Sequence, residues 1–138
     1  MNRNHMLQLA SCLLGLVLLL GFRSAYGQQA APLEMKGVAI KQLEAINLGP
    51  EIEGMAGRQL RMRTLTFEPG GFIGIHNHKD RPGTVYVLQG KITVHLGNVV
   101  KEYSAGDTWT ENKETTHSLE NKGTTPAVIL AVDVFHQP

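Results

Sequence analysis

Three histidines have the residue type and the spacing to bind a metal ion. His76 and His78 stand two positions apart in an apolar stretch rich in glycine. Strand side chains alternate faces with a period of two, so both rings would point to the same side of one strand. His117 follows in a later segment, beyond a hairpin-like unit. Because neutral imidazole is the commonest protein ligand for first-row transition metals, the pattern predicts a site for divalent Fe, Mn, Ni, Cu or Zn.

Histidines can also be purely structural, capping turns or hydrogen-bonding within a core. His95 and His136 fit that interpretation, because His95 is out of phase with the apolar residues of its segment and His136 lies near the end of the chain. The pair on one face, joined by a third ring, favours the metal site over the structural alternative.

Short β-strands are the elements that must hold these rings. Alternating apolar and polar residues predict strands over 60–67 and 91–96, and the apolar run 85–88 predicts a buried strand. Further strands are expected over 99–103 and 127–135. Turns are expected at 68–71 and at 81–83, the second with the proline–glycine order of a type II turn. Residues 33–48 fit a short strand or a helical turn equally well. Strands this short, without convincing helices, predict an all-β sandwich or barrel.

The first 27 residues have the pattern of an export signal. Arg3 precedes the apolar run 13–20, and small residues at Ala25 and Gly27 predict cleavage after Gly27. An uncleaved anchor is the alternative, but the run is shorter than the roughly 20 residues that span a bilayer. Cleavage would remove Cys12, the only cysteine. The sequence therefore predicts a periplasmic or secreted protein without a stable membrane anchor.

Bulk properties indicate one folded domain after this leader. We expect residues 28–57 to form an N-terminal leader and first-strand region, and residues 58–138 to form the barrel domain. The formal net charge is +1 and no basic run is present, which argues against a nucleic-acid partner.

Two motifs resemble those of the cupin superfamily, over roughly residues 58–135. The matching positions are Gly70, His76, His78 and Gly90 for the first motif, and Gly106, His117 and Asn121 for the second. The resemblance implies a cupin-type jelly-roll β-barrel in which the three histidines bind the metal. Asn121 is expected to stabilise a turn rather than to bind the ion.

The sequence departs from the cupin pattern where the first motif has a metal-binding glutamate, because that position is Gly83. Asp80, Glu111 and Glu114 are candidates for the missing oxygen ligand, and the default expectation for each is a solvated loop carboxylate. Arg81 is a candidate anion clamp at the barrel mouth, for which the default expectation is a surface arginine.

The resemblance implies a small-molecule metalloenzyme, because three-histidine cupins with iron include dioxygenases. We predict an exported metal-binding cupin, dioxygenase-like or isomerase-like, that acts on a small organic acid or another oxygen-bearing metabolite. Trp109 is a candidate pocket wall. The alternative is a non-catalytic module that binds a small ligand or a sugar. Either protein can form a homodimer through an edge strand.

Overall fold

In the computed structural model, residues 33–136 are described, and they form eight strands. The strands are β1 (Met35–Asn47), β2 (Arg58–Asn77), β3 (Gly83–Gln89), β4 (Lys91–Leu96), β5 (Val99–Ser104), β6 (Thr108–Glu111), β7 (Thr116–Glu120) and β8 (Ala127–His136). All of their pairings are antiparallel. The predicted all-β barrel is confirmed. The described range contains no helix of the length and apolarity needed to cross a membrane, and the predicted signal segment 1–27 lies outside that range.

The longest strand, β2, belongs to both walls of the barrel. Its first part pairs with β8 and its last part pairs with β7, while β1 pairs with it from Gln59 to Ile73. Gly70, with φ 73°, lies where the strand passes from one wall to the other. A Cβ at the next residue, Gly71, would overlap the carbonyl oxygen of Gly37. The turn expected at 68–71 is therefore wrong, because the glycines bend a continuous strand instead of ending it.

Asn121 stabilises this crossing from the end of β7. Its side-chain amide donates to the carbonyl oxygens of Phe67 at 3.0 Å and Thr125 at 2.9 Å, and its Oδ1 accepts from the Gly123 N–H at 2.9 Å. The residue is 1% exposed. These contacts agree with the predicted structural role of Asn121.

The strand order β5-β4-β7-β2-β8-β3-β6, with β1 also paired to β2, brings the inward faces of both walls together. Within the range that was ambiguous in sequence, 33–48, residues Met35–Asn47 form β1 along β2. The core consists of the inward side chains of six strands, namely Leu65, Phe67, Ile73, Val85, Val87, Ile92, Val94, Trp109, Leu119, Ala127, Ile129 and Ala131. This apolar packing surrounds the three histidines and limits their movement.

Candidate metal centre

The three histidines that the sequence singled out meet inside the barrel. His76 on β2 and His117 on β7 are register partners. The Nε2 atom of His117 lies 3.0 Å from Nε2 of His78 and 3.1 Å from Nε2 of His76. His78 and His117 are only 4% and 2% exposed. His95 and His136 are not part of the group that could hold a metal ion.

An irregularity in β2 turns His76 and His78 inward. Upstream of it the inward residues of β2 have odd numbers, as in the case of buried Ile73. The pairing of β2 with β7 shifts register between Ile73 and His76, which is the signature of a β-bulge. Ile75 is consequently 79% exposed, and the even-numbered histidines face the interior. Without this shift both rings would point to solvent.

The backbone also sets the tautomers of two of the rings. Nδ1 of His76 lies 2.9 Å from the Gly74 carbonyl oxygen, and Nδ1 of His78 lies 3.1 Å from the Arg81 carbonyl oxygen. A carbonyl oxygen only accepts, so each Nδ1 carries the proton and donates it. Each Nε2 therefore presents a lone pair to the shared centre. Nδ1 of His117 is buried and has no hydrogen-bond partner among the described residues.

These three nitrogens fit a transition-metal ion. Imidazole nitrogens bind such ions at about 2.0–2.1 Å, so two nitrogens on one ion lie about 2.9–3.4 Å apart at octahedral to tetrahedral angles. The separations of 3.0 and 3.1 Å lie within that interval. In a metal-free cluster a proton on Nε2 of His117 would be shared with the other two rings, and an ion would replace that proton at the common centre. The histidines are positioned to bind a metal.

Glu111 joins the cluster, so its expected role as a solvated loop carboxylate is wrong. It is 7% exposed, with Oε2 at 3.2 Å from Nδ1 of His78 and Oε1 at 3.4 Å from Nε2 of His117. The Trp109 indole N–H donates to Oε1 at 3.1 Å. Asp80 and Glu114 are exposed, as expected. Burial raises the pKa of Glu111, against the smaller lowering effect of the Trp109 hydrogen bond.

Gly83, the position of the cupin motif's glutamate, has no room for a side chain. It is the first residue of β3 rather than the third residue of a type II turn, and its φ is not in the left-handed region that such a turn needs. A Cβ there would lie 2.8 Å from the Val132 carbonyl oxygen and 3.1 Å from Cβ of Asp133. The register partner of Gly83 on β6 is Glu111. The carboxylate beside the histidines thus comes from the neighbouring strand.

A cluster of three arginines around Asp133 lies on the same inner wall, and sequence reasoning missed it. Asp133 is 3% exposed. Its Oδ2 lies 3.0 Å from Nη2 of Arg61, 2.9 Å from Nη2 of Arg63 and 3.8 Å from Nε of Arg81. Arg81, expected by default at the surface, is 28% exposed and also lines the cavity beside His76 and His78. The available signal was Asp133 itself, a carboxylate in phase with the buried residues of an otherwise apolar strand.

Two of the clustered histidines, His76 and His78, share one cavity of about 90 Å³ with two of these arginines. Its polar wall consists of Arg63, His76, His78, Arg81 and Glu111, and its apolar wall consists of Leu33, Ile40, Leu65, Ile73, Val85, Leu119, Ile129 and Ala131. A groove of about 430 Å³ beside His95 is larger but contains none of the three clustered histidines. Trp109, expected as a pocket wall, does not line the cavity of His76 and His78, but it lines another pocket of about 330 Å³ together with His117. It packs on Tyr103, with ring centroids 4.7 Å apart.

We expect the metal-free protein to lose stability as the pH falls below neutrality. Burial lowers the pKa of His76, His78 and His117 from 6.5, in the case of His117 to about 3. Between the lowered value and 6.5 the unfolded chain binds protons that the folded chain does not, so acid favours unfolding. His117 alone would account for about 2 kcal/mol between pH 7 and pH 5. Urea unfolding at pH 5, 6 and 7 measures the effect.

The His117→Gln variant is the control for this pH dependence, and its stability should fall less steeply over the same range. Glu111 acts in the opposite direction, because its raised pKa makes the folded state the more protonated one above the usual glutamate value. A wild-type free energy of unfolding that stays constant or rises between pH 7 and pH 5 would contradict the conclusion that the three imidazole rings are held in the neutral form.

The nearly closed antiparallel barrel, with three histidines gathered inside, defines the class of protein. The family model described as Cupin domain (Cupin_2) matches residues 63–133, and the chain belongs to this family. The chain is 29% identical over 83 residues to an oxalate-binding protein of Thermotoga maritima, covering 60% of this chain and 69% of the relative.

Solved structures show the same fold. The crystal structure of a predicted oxalate decarboxylase from Thermotoga maritima has a TM-score of 0.58 and 22% identity, over 75% of this chain and 91% of the other. A polyketide cyclase from Streptomyces resistomycificus has a TM-score of 0.60 and 19% identity, over 75% of this chain and 70% of the other. Both likenesses support the jelly-roll barrel that the cupin motifs implied.

Proposed function

We propose that this cupin is a metal-dependent enzyme, dioxygenase-like or isomerase-like, that acts on a small oxygen-bearing molecule. The observation that carries the proposal is the convergence of three Nε2 atoms, from two buried rings and one partly buried ring, at 3.0 and 3.1 Å. His76, His78 and His117 would hold the ion. Fewer protein ligands than a closed structural site leave positions for substrate. Bound there, a divalent ion would supply Lewis-acid chemistry or dioxygen activation.

Glu111 would donate and accept protons at this centre. Its carboxylate lies in the cavity wall, next to two of the histidine rings. A carboxyl group with a raised pKa is protonated to a larger extent near physiological pH than an exposed one, so it gives and takes protons more readily there. The contact with His78 also orients that ring, so Glu111 would combine proton transfer with positioning of a metal ligand.

A non-catalytic binding protein is the second candidate. The cavity is small, and the relative from Thermotoga maritima is named for binding oxalate rather than for converting it. A small organic acid is the proposed ligand in both cases. The two functions differ only in whether the bound molecule changes.

The test is a turnover assay with oxalate and other small carboxylates and hydroxy-ketones, in the presence of Fe, Mn, Ni, Cu or Zn. We expect a product with at least one metal, and loss of at least about 90% of the rate in Glu111→Gln if Glu111 transfers the proton. The matched control, Glu114→Gln, replaces an exposed carboxylate and should leave the rate unchanged. Saturable binding without product under every metal would favour the binding protein instead.

We further propose that the chain is exported to the periplasm or the medium, which the pattern of residues 1–27 supports. Mass spectrometry of the mature protein should find an N-terminus at Gln28.

Homodimerisation through an edge strand stays a prediction, which light scattering on the purified protein would test.

A further inference from the structure

Arg61 and Arg63 are two residues apart on β2, yet they use their donors differently. Arg61 forms a two-point ion pair with Asp133, through Nε at 3.1 Å from Oδ1 and Nη2 at 3.0 Å from Oδ2. Its guanidinium carbon also lies 3.9 Å from the centre of the Phe135 ring. Arg63 donates to Asp133 only through Nη2, at 2.9 Å. Its Nε is buried and has no hydrogen-bond partner among the described residues.

The unpartnered donor belongs to a residue of the cavity wall. Arg63 lines the cavity with His76 and His78, whereas Arg61 does not. Arg63 is 13% exposed, so water has little access to it. A buried N–H without an acceptor is unfavourable, and most such groups in native proteins have a partner. The cavity is therefore a place where an acceptor atom would be stabilised.

The local charge also favours an anion. Three guanidinium groups surround Asp133, and the only other buried carboxylate of the described core is Glu111. The arginines thus exceed the carboxylates by one, before any metal cation is added. Like charges close together in a poorly solvated site repel, and a bound anion between them would remove that repulsion.

We propose that Arg63 is the anion-recognition residue of this cavity, turning its buried Nε–H toward a carboxylate oxygen of a small organic acid bound beside His76 and His78. Arg81 adds positive charge on the same wall. A cavity of about 90 Å³ has room for roughly six to nine water-sized atoms, since one water needs about 10–15 Å³ on this measure. That size fits a mono- or dicarboxylate of two or three carbons. The assignment rests on the proposed function of the cavity as a ligand site and specifies its substrate class.

Isothermal titration of the full chain with oxalate and with its uncharged isostere oxamide tests the proposal, with and without a bound divalent metal. We expect oxalate to bind at least tenfold more tightly than oxamide, since charge-assisted hydrogen bonds are about twice as strong as neutral ones. Arg63→Lys keeps the positive charge and can still pair with Asp133, but it loses the Nε donor. It should weaken oxalate binding about tenfold or more and leave metal content unchanged.

Arg61→Lys is the matched control, because it perturbs the same ion cluster from a residue outside the cavity. Its oxalate affinity should stay within about threefold of wild type, even if its melting temperature falls as far as that of Arg63→Lys. Equal loss of oxalate binding in both lysine variants would assign Arg63 a merely structural role. Binding of oxalate that Arg63→Lys leaves unchanged, or equal affinity for oxalate and oxamide, would also overturn the proposal.

The outcomes separate this inference from the metal centre. A wild-type protein that loads no metal but still binds oxalate through Arg63 would refute the metalloenzyme and support anion recognition. A wild-type protein that loads metal and binds none of oxalate, acetate or inorganic phosphate would refute anion recognition and leave the metal centre standing.

Discussion

The His117→Ala variant is expected to lose stoichiometric metal binding. Its Nε2 is the nitrogen that lies within 3.0–3.1 Å of both other rings, so its removal leaves two ligands that no longer enclose a common point. We expect at least a hundredfold loss of affinity, more than the roughly 10–100-fold loss typical of residues that only orient metal ligands. Elemental analysis of untagged protein after reconstitution and dialysis, with chelator competition, measures the loss.

The control for this variant is His95→Ala, which removes a histidine outside the cluster. Nε2 of His95 lies 3.4 Å from Oε2 of Glu120 on the barrel surface, and its loss should leave metal content unchanged. Circular dichroism would show whether each variant remains folded. Retention of a full equivalent of metal by folded His117→Ala would show that the ion, if any, binds elsewhere.

Asp133→Asn is expected to have the largest effect on stability. The substitution removes the carboxylate that three arginines share and leaves buried guanidinium groups without their counter-ion. Breaking a buried ion pair by removing one partner typically lowers the free energy of unfolding by about 3–5 kcal/mol. Urea unfolding at neutral pH measures the change.

Glu102→Gln is the matched control for that measurement. Its ion pair with Lys91, at 3.3 Å, joins side chains that are about half exposed, at 56% and 53%. Such surface pairs contribute about 0–1 kcal/mol. A loss of stability in Asp133→Asn no greater than in Glu102→Gln would mean that water solvates the three arginines well enough to replace the Asp133 carboxylate.

Periodicity and motif spacing predicted much of the fold, and the physical reason is burial. Residues such as Leu65 and Phe67 alternate because one face of β2 packs into the core, and that alternation is legible in sequence. The meeting of His76 with His117 was predictable for the same reason, since inward positions of neighbouring strands lie opposite one another.

What the sequence did not predict depends on contacts between distant residues. The bulge that turns His76 and His78 inward is a pairing irregularity without a local signature. Glu111 was expected in a loop, because its burial follows from the pairing of β6 with β3 opposite Gly83. In the sequence Arg63 resembles an ordinary strand arginine, because its ion-pair partner Asp133 belongs to the distant strand β8. In each case the partner strand, rather than the local pattern, decides which side chains enter the cavity.

The most direct test of the metal centre is X-ray absorption spectroscopy, with elemental analysis, on untagged wild-type protein reconstituted with Fe, Mn, Ni, Cu or Zn. Three converging imidazoles predict close to one equivalent of a divalent ion, with a first shell that contains three nitrogen ligands at about 2.0–2.2 Å and the outer scattering typical of imidazole. Protein that retains none of these metals, or an ion whose shell contains no imidazole, would contradict the account.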